Sequence, residues 1–165
     1  MKKFIVILVA IISLNSYIIV SDAFSQWVQS NDINGGNVYS LTSIGNYIFA
    51  GTENSGIHLS TNNGSNWTQI ALNTFTISSL AANGDTILAG TWYHGIYRST
   101  NKGINWSQTS LTTKTIYSIA FNGSSIFAGV DDYPSGGVYK STNNGLTWVQ
   151  TSLNNRTVNT ILISE

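Results

Sequence analysis

The chain has 165 residues with seven basic and seven acidic side chains, so its formal net charge is zero and only 8% of its residues are charged. A nucleic-acid binder needs a basic surface to neutralise phosphates, and this composition does not provide one. The lack of cysteine excludes disulfides, thiolate metal ligands, a cysteine nucleophile and a lipid-anchored cysteine. Few charges together with 12% aromatic residues and much Asn, Ser, Thr and Gly favour an all-β protein.

The N-terminal 25 residues have the pattern of a secretory signal peptide. Two lysines precede an apolar run over residues 4–14, and the small residues Ala23 and Ser25 suit cleavage after Ser25. An uncleaved membrane anchor is the alternative, but the polar pair at 15–16 leaves the run short of the roughly 20 residues that a spanning helix needs. We therefore expect a mature chain of residues 26–165, with no membrane span, in the periplasm, on the cell surface or in the medium. Cleavage removes two basic residues and one acidic residue, which leaves a net charge of −1.

An eight-residue motif, Ser-Thr-Asn-x-Gly-x-x-Trp, occurs three times in the rest of the chain. Its copies begin 39 and then 42 residues apart, at Ser60, Ser99 and Ser141. Around each motif the same unit recurs, over residues 37–75, 76–114 and 115–156, and the first two units are identical at 18 of 39 positions without a gap. A unit of this length that repeats along the chain decides the architecture.

Each unit is predicted to form four short strands. In the second unit the strands are expected over 77–82, 86–90, 95–99 and 106–109, with a tight turn at 83–85 and a second turn supplied by the motif. Four strands in about 40 residues is the size of one propeller blade. The predicted fold is therefore all-β: a β-propeller of four-stranded antiparallel blades.

The residues shared by the three motifs have roles in folding. The Asn side chain can accept a hydrogen bond from the backbone amide two residues on, and Gly can adopt positive φ at no steric cost. The Trp starts the outer strand and can bury its ring beneath the turn. We therefore assign structural roles, and no catalytic role, to Ser60, Asn62, Gly64, Trp67, Ser99, Asn101, Gly103, Trp106, Ser141, Asn143, Gly145 and Trp148.

This motif resembles the Asp-box, or BNR, repeat, Ser-x-Asp-x-Gly-x-x-Trp. That repeat lies on the turn between strands three and four of the propellers of sialidases, xyloglucan-type endoglucanases, sortilin-type receptor domains and photosystem II assembly factor-like proteins. The resemblance covers about residues 27–165, and all three copies have Asn where the family usually has Asp. It implies an architecture but no single activity, because these propellers include both enzymes and binders.

The three units are flanked by parts of two further blades. Trp27-Val28-Gln29 aligns with the start of each fourth strand, and residues 157–164 align with a first strand. This lone outer strand and lone inner strand cannot close a ring, because two strands are missing between them, and an open propeller exposes strand edges. We expect a fragment of a longer product with about six to eight blades. In the alternative, the remaining blades come from a self-associating copy.

Loops that join strands two and three share one face of a propeller with the loops between blades, and here the three units differ most. Variation on a constant scaffold is where recognition is usually located. The candidate ligand-binding residues are Trp92, Tyr93, His94, Asp131, Asp132 and Tyr133, and the interblade loops add Phe75, Lys114 and Arg156. The aromatic rings can stack on a sugar or anchor a protein; alternatively, they pack on neighbouring blades.

The charged residues do not form a catalytic set. The resemblance to sialidases implies three arginines around the substrate carboxylate, but the chain has only Arg98 and Arg156. A glycosidase needs two carboxylates across the scissile bond, and only Glu53 with Asp131 or Asp132 could share a cleft. The Asp pair could bind calcium, but no recognised spacing follows it, so we expect neither a metal nor a cofactor.

The sequence therefore predicts a secreted, non-catalytic propeller scaffold that binds a protein or a glycan through its variable loops. The alternative is a fragment of a sialidase- or xyloglucanase-like glycoside hydrolase whose catalytic residues lie outside this chain. A purely structural segment of a large surface protein is the third hypothesis.

Overall fold

The computed structural model describes residues 33, 36–131 and 135–164. These residues form twelve strands and no helix, so the described part of the chain holds no helix that could cross a membrane. The predicted signal peptide at 1–25 and the lone strand Trp27-Val28-Gln29 lie outside the described residues, and so do Asp132 and Tyr133.

The twelve strands form three four-stranded antiparallel sheets, each built from four strands that are consecutive in the chain. We call these sheets blades 1, 2 and 3. Blade 1 contains β1 (Val38–Ile44), β2 (Tyr47–Thr52), β3 (Ile57–Ser60) and β4 (Thr68–Ala71). Blade 2 contains β5 (Ile77–Asn83), β6 (Thr86–Thr91), β7 (Ile96–Ser99) and β8 (Ser107–Gln108). Blade 3 contains β9 (Thr115–Asn122), β10 (Ser125–Asp131), β11 (Gly137–Ser141) and β12 (Val149–Asn154).

The first two strands of every blade are joined by a two-residue turn that begins with glycine. Gly45, Gly84 and Gly123 each have a φ of 56°, whereas the residue after each of them has no positive φ. One positive φ at the first central position is the type II′ pattern, whose twist matches that of the flanking strands. The turn therefore sets the same strand register in all three blades, from Ile44 opposite Tyr47 to Asn122 opposite Ser125.

Neighbouring blades pack through a glycine in the second strand. A Cβ atom on Gly51 would lie 2.7 Å from Cγ2 of Ile77 in the next blade, and one on Gly90 would lie 2.7 Å from Cγ2 of Ile116. Both isoleucines are fully buried. Each glycine therefore leaves the space that the first strand of the following blade fills with a branched side chain; we call this space the glycine socket.

Two hydrophobic clusters occupy the spaces between blades rather than the interior of any one sheet. The first is centred on Phe49, Ile57, Ile77 and Ile87, and the second on Leu88, Ile96, Ile116 and Ile126. Complete burial of such a side chain contributes about 1.5–3 kcal/mol. The blades are thus stabilised mainly by one another.

Residues 157–164 occupy the place of the first strand of a further blade. Val158 fills the socket of blade 3, where a Cβ on Gly129 would lie 3.0 Å from its Cγ1 atom. The sequence predicts a strand here, but these residues are not in a β-ladder, because no described strand pairs with them. Residues 157–164 thus lie where the repeat predicts a first strand, but they are not paired with a second strand among the described residues.

Candidate functional site

The turn between the third and fourth strands of each blade, which we call the motif turn, is held by its own side chains. In blade 2, the Ser99 hydroxyl donates to Oδ1 of Asn101 at 3.0 Å and accepts from the amide of Gly103 at 2.9 Å. Oδ1 of Asn101 also accepts from the amide of Asn105, four residues on, at 2.9 Å. The sequence analysis predicts that the Asn101 side chain accepts from the amide two residues on, and this prediction is wrong. That amide is the one of Gly103, and it donates to the Ser99 hydroxyl instead. Blades 1 and 3 repeat these contacts through Ser60, Asn62, Gly64 and Asn66, and through Ser141, Asn143, Gly145 and Thr147.

The tryptophan of the motif closes the same turn. Nε1 of Trp67, Trp106 and Trp148 donates to the carbonyl oxygen of the motif glycine at 3.1, 3.0 and 3.0 Å. Trp148 is buried, while the other two rings are half-buried. The polar atoms of the motif thus make contacts that shape the backbone, and the variable loops lie at the other end of the strands.

We call that other end the loop face. Its loops are tied to the next blade by a threonine hydroxyl: the amide of Asn54 donates to Oγ1 of Thr76 at 3.1 Å, and the amide of Tyr93 donates to Oγ1 of Thr115 at 3.2 Å. Both threonines are buried. The loop backbones of blades 1 and 2 are therefore fixed in the same way, so that the difference between these two loops lies in the side chains that they present.

The three candidate residues of the second blade have different surroundings. The ring of Trp92 lies 5.5 Å from that of Tyr39 in blade 1, and His94 stacks on Phe75 at 4.4 Å with an angle of 17° between the ring planes. These two rings pack on the preceding blade and its linker. Tyr93, between them, is 73% exposed. The structure thus brings the three residues together: Trp92 is half-buried, whereas Tyr93 and the stacked ring of His94 are exposed.

A shallow groove of about 150 Å³ lies beside the ring of Tyr93. It is lined by Asn54, Thr74, Phe75, Thr76, Trp92, Tyr93 and His94. Larger grooves of about 340, 380 and 520 Å³ lie at the opposite end of the blades, where hairpin and motif turns meet. We favour the smaller groove as the candidate site because it lies where the blades differ and combines aromatic and polar side chains.

The acidic residues described on the loop face are engaged by neighbours. Oε2 of Glu53 accepts a hydrogen bond from Asn37 at 3.0 Å. Asp131 accepts from the hydroxyls of Tyr117 at 3.2 Å and Thr157 at 2.5 Å. Burial, followed by the bond to Asp131 and its negative charge, raises the pKa of the Tyr117 hydroxyl above its ordinary value. No cluster of three potential metal ligands occurs among residues 33, 36–131 and 135–164.

Two further polar residues lie within the packing of the blades. His58 is only 3% exposed, its Nδ1 atom has no hydrogen-bond partner, and burial lowers its pKa. Nε of Arg98 donates to the carbonyl oxygen of Asn144 at 2.6 Å and so joins blade 2 to the motif turn of blade 3. The side chain of Asn144 also donates to Thr86 at 3.0 Å. Sequence reasoning missed this joint, although Asn144 is at one of the three variable positions of the motif.

The described strands form an incomplete β-propeller with three four-stranded blades. No protein-family model matches the chain, and no curated protein sequence matches it. Among solved structures, it is similar to an ancestral GH74 enzyme at 26% identity and a TM-score of 0.58, over 71% of this chain and 19% of the enzyme. It is similar to YCF48 from Cyanidioschyzon merolae at 19% identity and a TM-score of 0.62, over 74% of this chain and 39% of YCF48.

A structure of YCF48 bound to the D1 peptide is also similar, with 16% identity and a TM-score of 0.57, over 74% of this chain and 46% of that one. The chain thus spans less than half the length of each of these three proteins. The computationally designed Ika4 protein matches at 11% identity and a TM-score of 0.68, over 86% of this chain and 89% of Ika4. At identities this low, the likenesses to YCF48 and Ika4 show the fold alone.

Proposed function

We propose that this protein is an extracellular, non-catalytic binding module that holds a protein or glycan ligand on its loop face, around Tyr93. Its motif turns are of the Asp-box class, and its N-terminal segment directs it to secretion. The observation that carries the proposal is the backbone of Tyr93, whose φ is 66°. A bulky residue in this left-handed region costs roughly 1–3 kcal/mol. Leu72, Lys102 and Thr113 also have positive φ, but none of them is aromatic, whereas Tyr93 combines this backbone with a ring that is 73% exposed.

The equivalent residue of blade 1 supplies an internal reference for that strain. Asn54 has a φ of 54° and makes the same amide-to-threonine bond to the next blade as Tyr93 does. Asparagine tolerates this conformation well, whereas tyrosine does not. Because the loop folds with Asn54 and tyrosine costs free energy at the same position, we attribute the exposed ring of Tyr93 to contact with the proposed ligand.

The substitution Tyr93→Asn tests this interpretation by giving blade 2 the residue of blade 1. We expect it to increase the free energy of unfolding by about 0.5 kcal/mol through relief of backbone strain. It should also weaken binding at least about tenfold, which corresponds to roughly 1.4 kcal/mol of lost contact. Unfolding in urea measures the first effect. Binding of the purified full chain to a glycan array and to a peptide array measures the second.

The matched control is Ile104→Asn, which changes another exposed apolar side chain, on the motif turn of blade 2. Ile104 is 77% exposed. The control should leave array binding unchanged. If Tyr93→Asn keeps the full binding signal of the native chain, or if the native chain binds no probe on either array, the proposed site is wrong. A YCF48 structure with a bound peptide supports the peptide arm of the experiment.

A second candidate function is that of a piece of a glycoside hydrolase whose catalytic residues lie outside this chain. The 26% identity to an ancestral GH74 enzyme over 71% of the chain favours it. The contacts of Glu53 and Asp131 count against catalysis by these residues, because each carboxylate is bound to neighbouring side chains. A screen of the full-length gene product against xyloglucan and sialoside substrates separates the candidates: release of sugar would favour the hydrolase and contradict the binding module.

A further inference from the structure

The loop of blade 2 that presents Tyr93, residues 92–95, is held at both ends by backbone hydrogen bonds. The amide of Trp92 donates to the carbonyl oxygen of Thr76 at 3.1 Å. The amide of Gly95 donates to the carbonyl oxygen of Lys114 at 2.8 Å. These bonds fix where the loop begins and ends, and side chains hold the peptide groups between them.

Two side chains hold the middle of this loop. The hydroxyl of Thr115, in the first strand of blade 3, accepts from the amide of Tyr93 at 3.2 Å. Nε2 of Gln108, in the outer strand of blade 2, donates to the carbonyl oxygen of His94 at 2.8 Å. Thr115 is buried, whereas Gln108 is exposed and does not line the groove beside Tyr93. The bond from Gln108 therefore lies outside both the core and the candidate site.

Each of the three blades has this glutamine two residues after the motif tryptophan. Nε2 of Gln69 donates to the carbonyl oxygen of Ser55 at 2.8 Å, and Nε2 of Gln150 donates to that of Gly136 at 2.9 Å. Blade 1 is the matched case for blade 2, because its loop has a bond from the outer-strand glutamine and a bond from the amide of Asn54 to a threonine hydroxyl. The two loops are therefore held by the same pair of contacts.

The two loops differ in the strain that these contacts oppose. Asn54 and Tyr93 have φ values of 54° and 66°. Asparagine enters the left-handed region readily, whereas tyrosine does so at a cost in free energy. A strained residue persists only where the surrounding structure over-determines its conformation. The bond from Gln108 thus opposes backbone strain at Tyr93, whereas the bond from Gln69 holds a loop with little strain.

We propose that Gln108 is a positioning residue of the loop face: its bond to the His94 carbonyl holds Tyr93 in the left-handed conformation that presents the ring to the ligand. The role in binding rests on the proposed function, while the restraint on Tyr93 is a property of the chain without ligand. When the bond is removed, the loop relaxes, and a ligand must restore the strained conformation in order to bind. The apparent dissociation constant then rises in inverse proportion to the fraction of molecules that keep this conformation.

Hydrogen exchange of the full chain, measured by NMR at the amides of Tyr93 and Asn54, tests the restraint without any ligand. Gln108→Ala should speed exchange at Tyr93 at least about tenfold, because release of backbone strain favours opening of the loop. The matched control, Gln69→Ala, should speed exchange at Asn54 no more than about threefold. This control is a strict one, because Gln69 is equally exposed and makes a second bond, to Oγ of Ser55 at 3.1 Å.

Removal of the strain should rescue the loop. In a chain that already carries Tyr93→Asn, Gln108→Ala should speed exchange at position 93 no more than about threefold. A merely structural role for Gln108 would give equal changes in the two loops, with or without Tyr93→Asn, and that result would overturn the proposal. Both glutamines are exposed, so circular dichroism of both variants should remain that of the native chain.

The glycan and peptide arrays used for Tyr93→Asn then measure the role in binding. For the array probe that the native chain binds most strongly, Gln108→Ala should raise the apparent dissociation constant about three- to tenfold. Gln69→Ala should leave that constant unchanged. Faster exchange at Tyr93 with unchanged binding would overturn the positioning role. A native chain that binds no probe contradicts the proposed function, and the exchange measurements still decide whether Gln108 restrains Tyr93.

Discussion

Blades 1 and 2 are identical at 18 of 39 aligned positions, yet the same repeat positions lie in different surroundings. Leu41 in blade 1 is mostly in solvent, whereas Leu80 in blade 2 is buried against its neighbours. A Cβ atom on the motif glycine of blade 1, Gly64, would lie 3.7 Å from Cζ2 of Trp67 in the same turn, whereas one on Gly103 in blade 2 would lie 2.9 Å from Cε1 of Phe49 in blade 1. The comparison shows that the hydrophobic core of a blade includes side chains of the preceding blade. Two blades of similar sequence therefore do not contribute equally to the free energy of unfolding.

The largest expected effect comes from truncating the two leucines at the same repeat position, Leu41 and Leu80. Leu80→Ala removes a side chain from a packed cluster and should cost about 2–5 kcal/mol. Leu41→Ala removes an exposed side chain and should change stability by no more than about 0.5 kcal/mol. Urea unfolding of the full chain measures both. Equal losses would show that Leu41 is packed as closely as Leu80 and would contradict the comparison.

The motif glycines allow a test in which backbone strain cancels. Gly64 and Gly103 have φ values of 82° and 83°, so an added Cβ strains both alike. At Gly103 that atom would also lie 2.9 Å from Cε1 of Phe49, whereas among the described residues the Cβ on Gly64 would meet Cζ2 of Trp67 at 3.7 Å. Gly103→Ala should therefore cost about 1–3 kcal/mol more than Gly64→Ala, through overpacking between blades. Thermal or urea unfolding of the two variants gives this difference, and a value near zero would contradict interblade packing of the motif turn.

The smallest expected effect is on pH dependence and concerns the third strand, where blade 1 has His58 and blade 2 has Tyr97. Burial holds the pKa of His58 below its ordinary value of 6.5, so the unfolded chain binds this proton at a higher pH than the folded chain does. His58 should therefore lower stability progressively as pH falls below about 6.5 towards its folded pKa. His58→Gln should flatten that part of the profile. An unchanged slope in urea titrations at pH 7, 6 and 5 would show that His58 does not cause it.

Much of the fold was accessible from the sequence, because the motif and the hairpin turns are local. The strands of blade 2 begin and end within a residue or two of their predicted limits, since glycine and asparagine mark each turn. The contacts of Asn101 were predicted incorrectly in detail: the competition of Ser99 for the nearer amide depends on how the turn folds back. The first strand expected at 157–164 keeps its repeat position but lacks a partner for pairing.

The surroundings of the candidate site could not be derived in the same way. Whether Trp92 lies in solvent or packs on Tyr39 depends on the distance between two blades, and no local pattern encodes that distance. The outlying φ of Tyr93 is also visible only in the structure. The glycine sockets did leave a signal: Gly51, Gly90 and Gly129 share one repeat position, and each is followed by an aliphatic residue at the second position of the next unit.

The glycine socket has a consequence for how such a chain can change in length. Each blade carries a gap on one side and the side chain that fills a gap on the other, so duplication of one unit adds a complete joint without requiring a new interface. Growth by whole units preserves packing at every junction, whereas insertion of half a unit leaves one gap empty. Substitutions at the socket glycine must suit the neighbouring unit as well as their own. Loop residues such as Tyr93 are free of that constraint and can diversify one unit at a time.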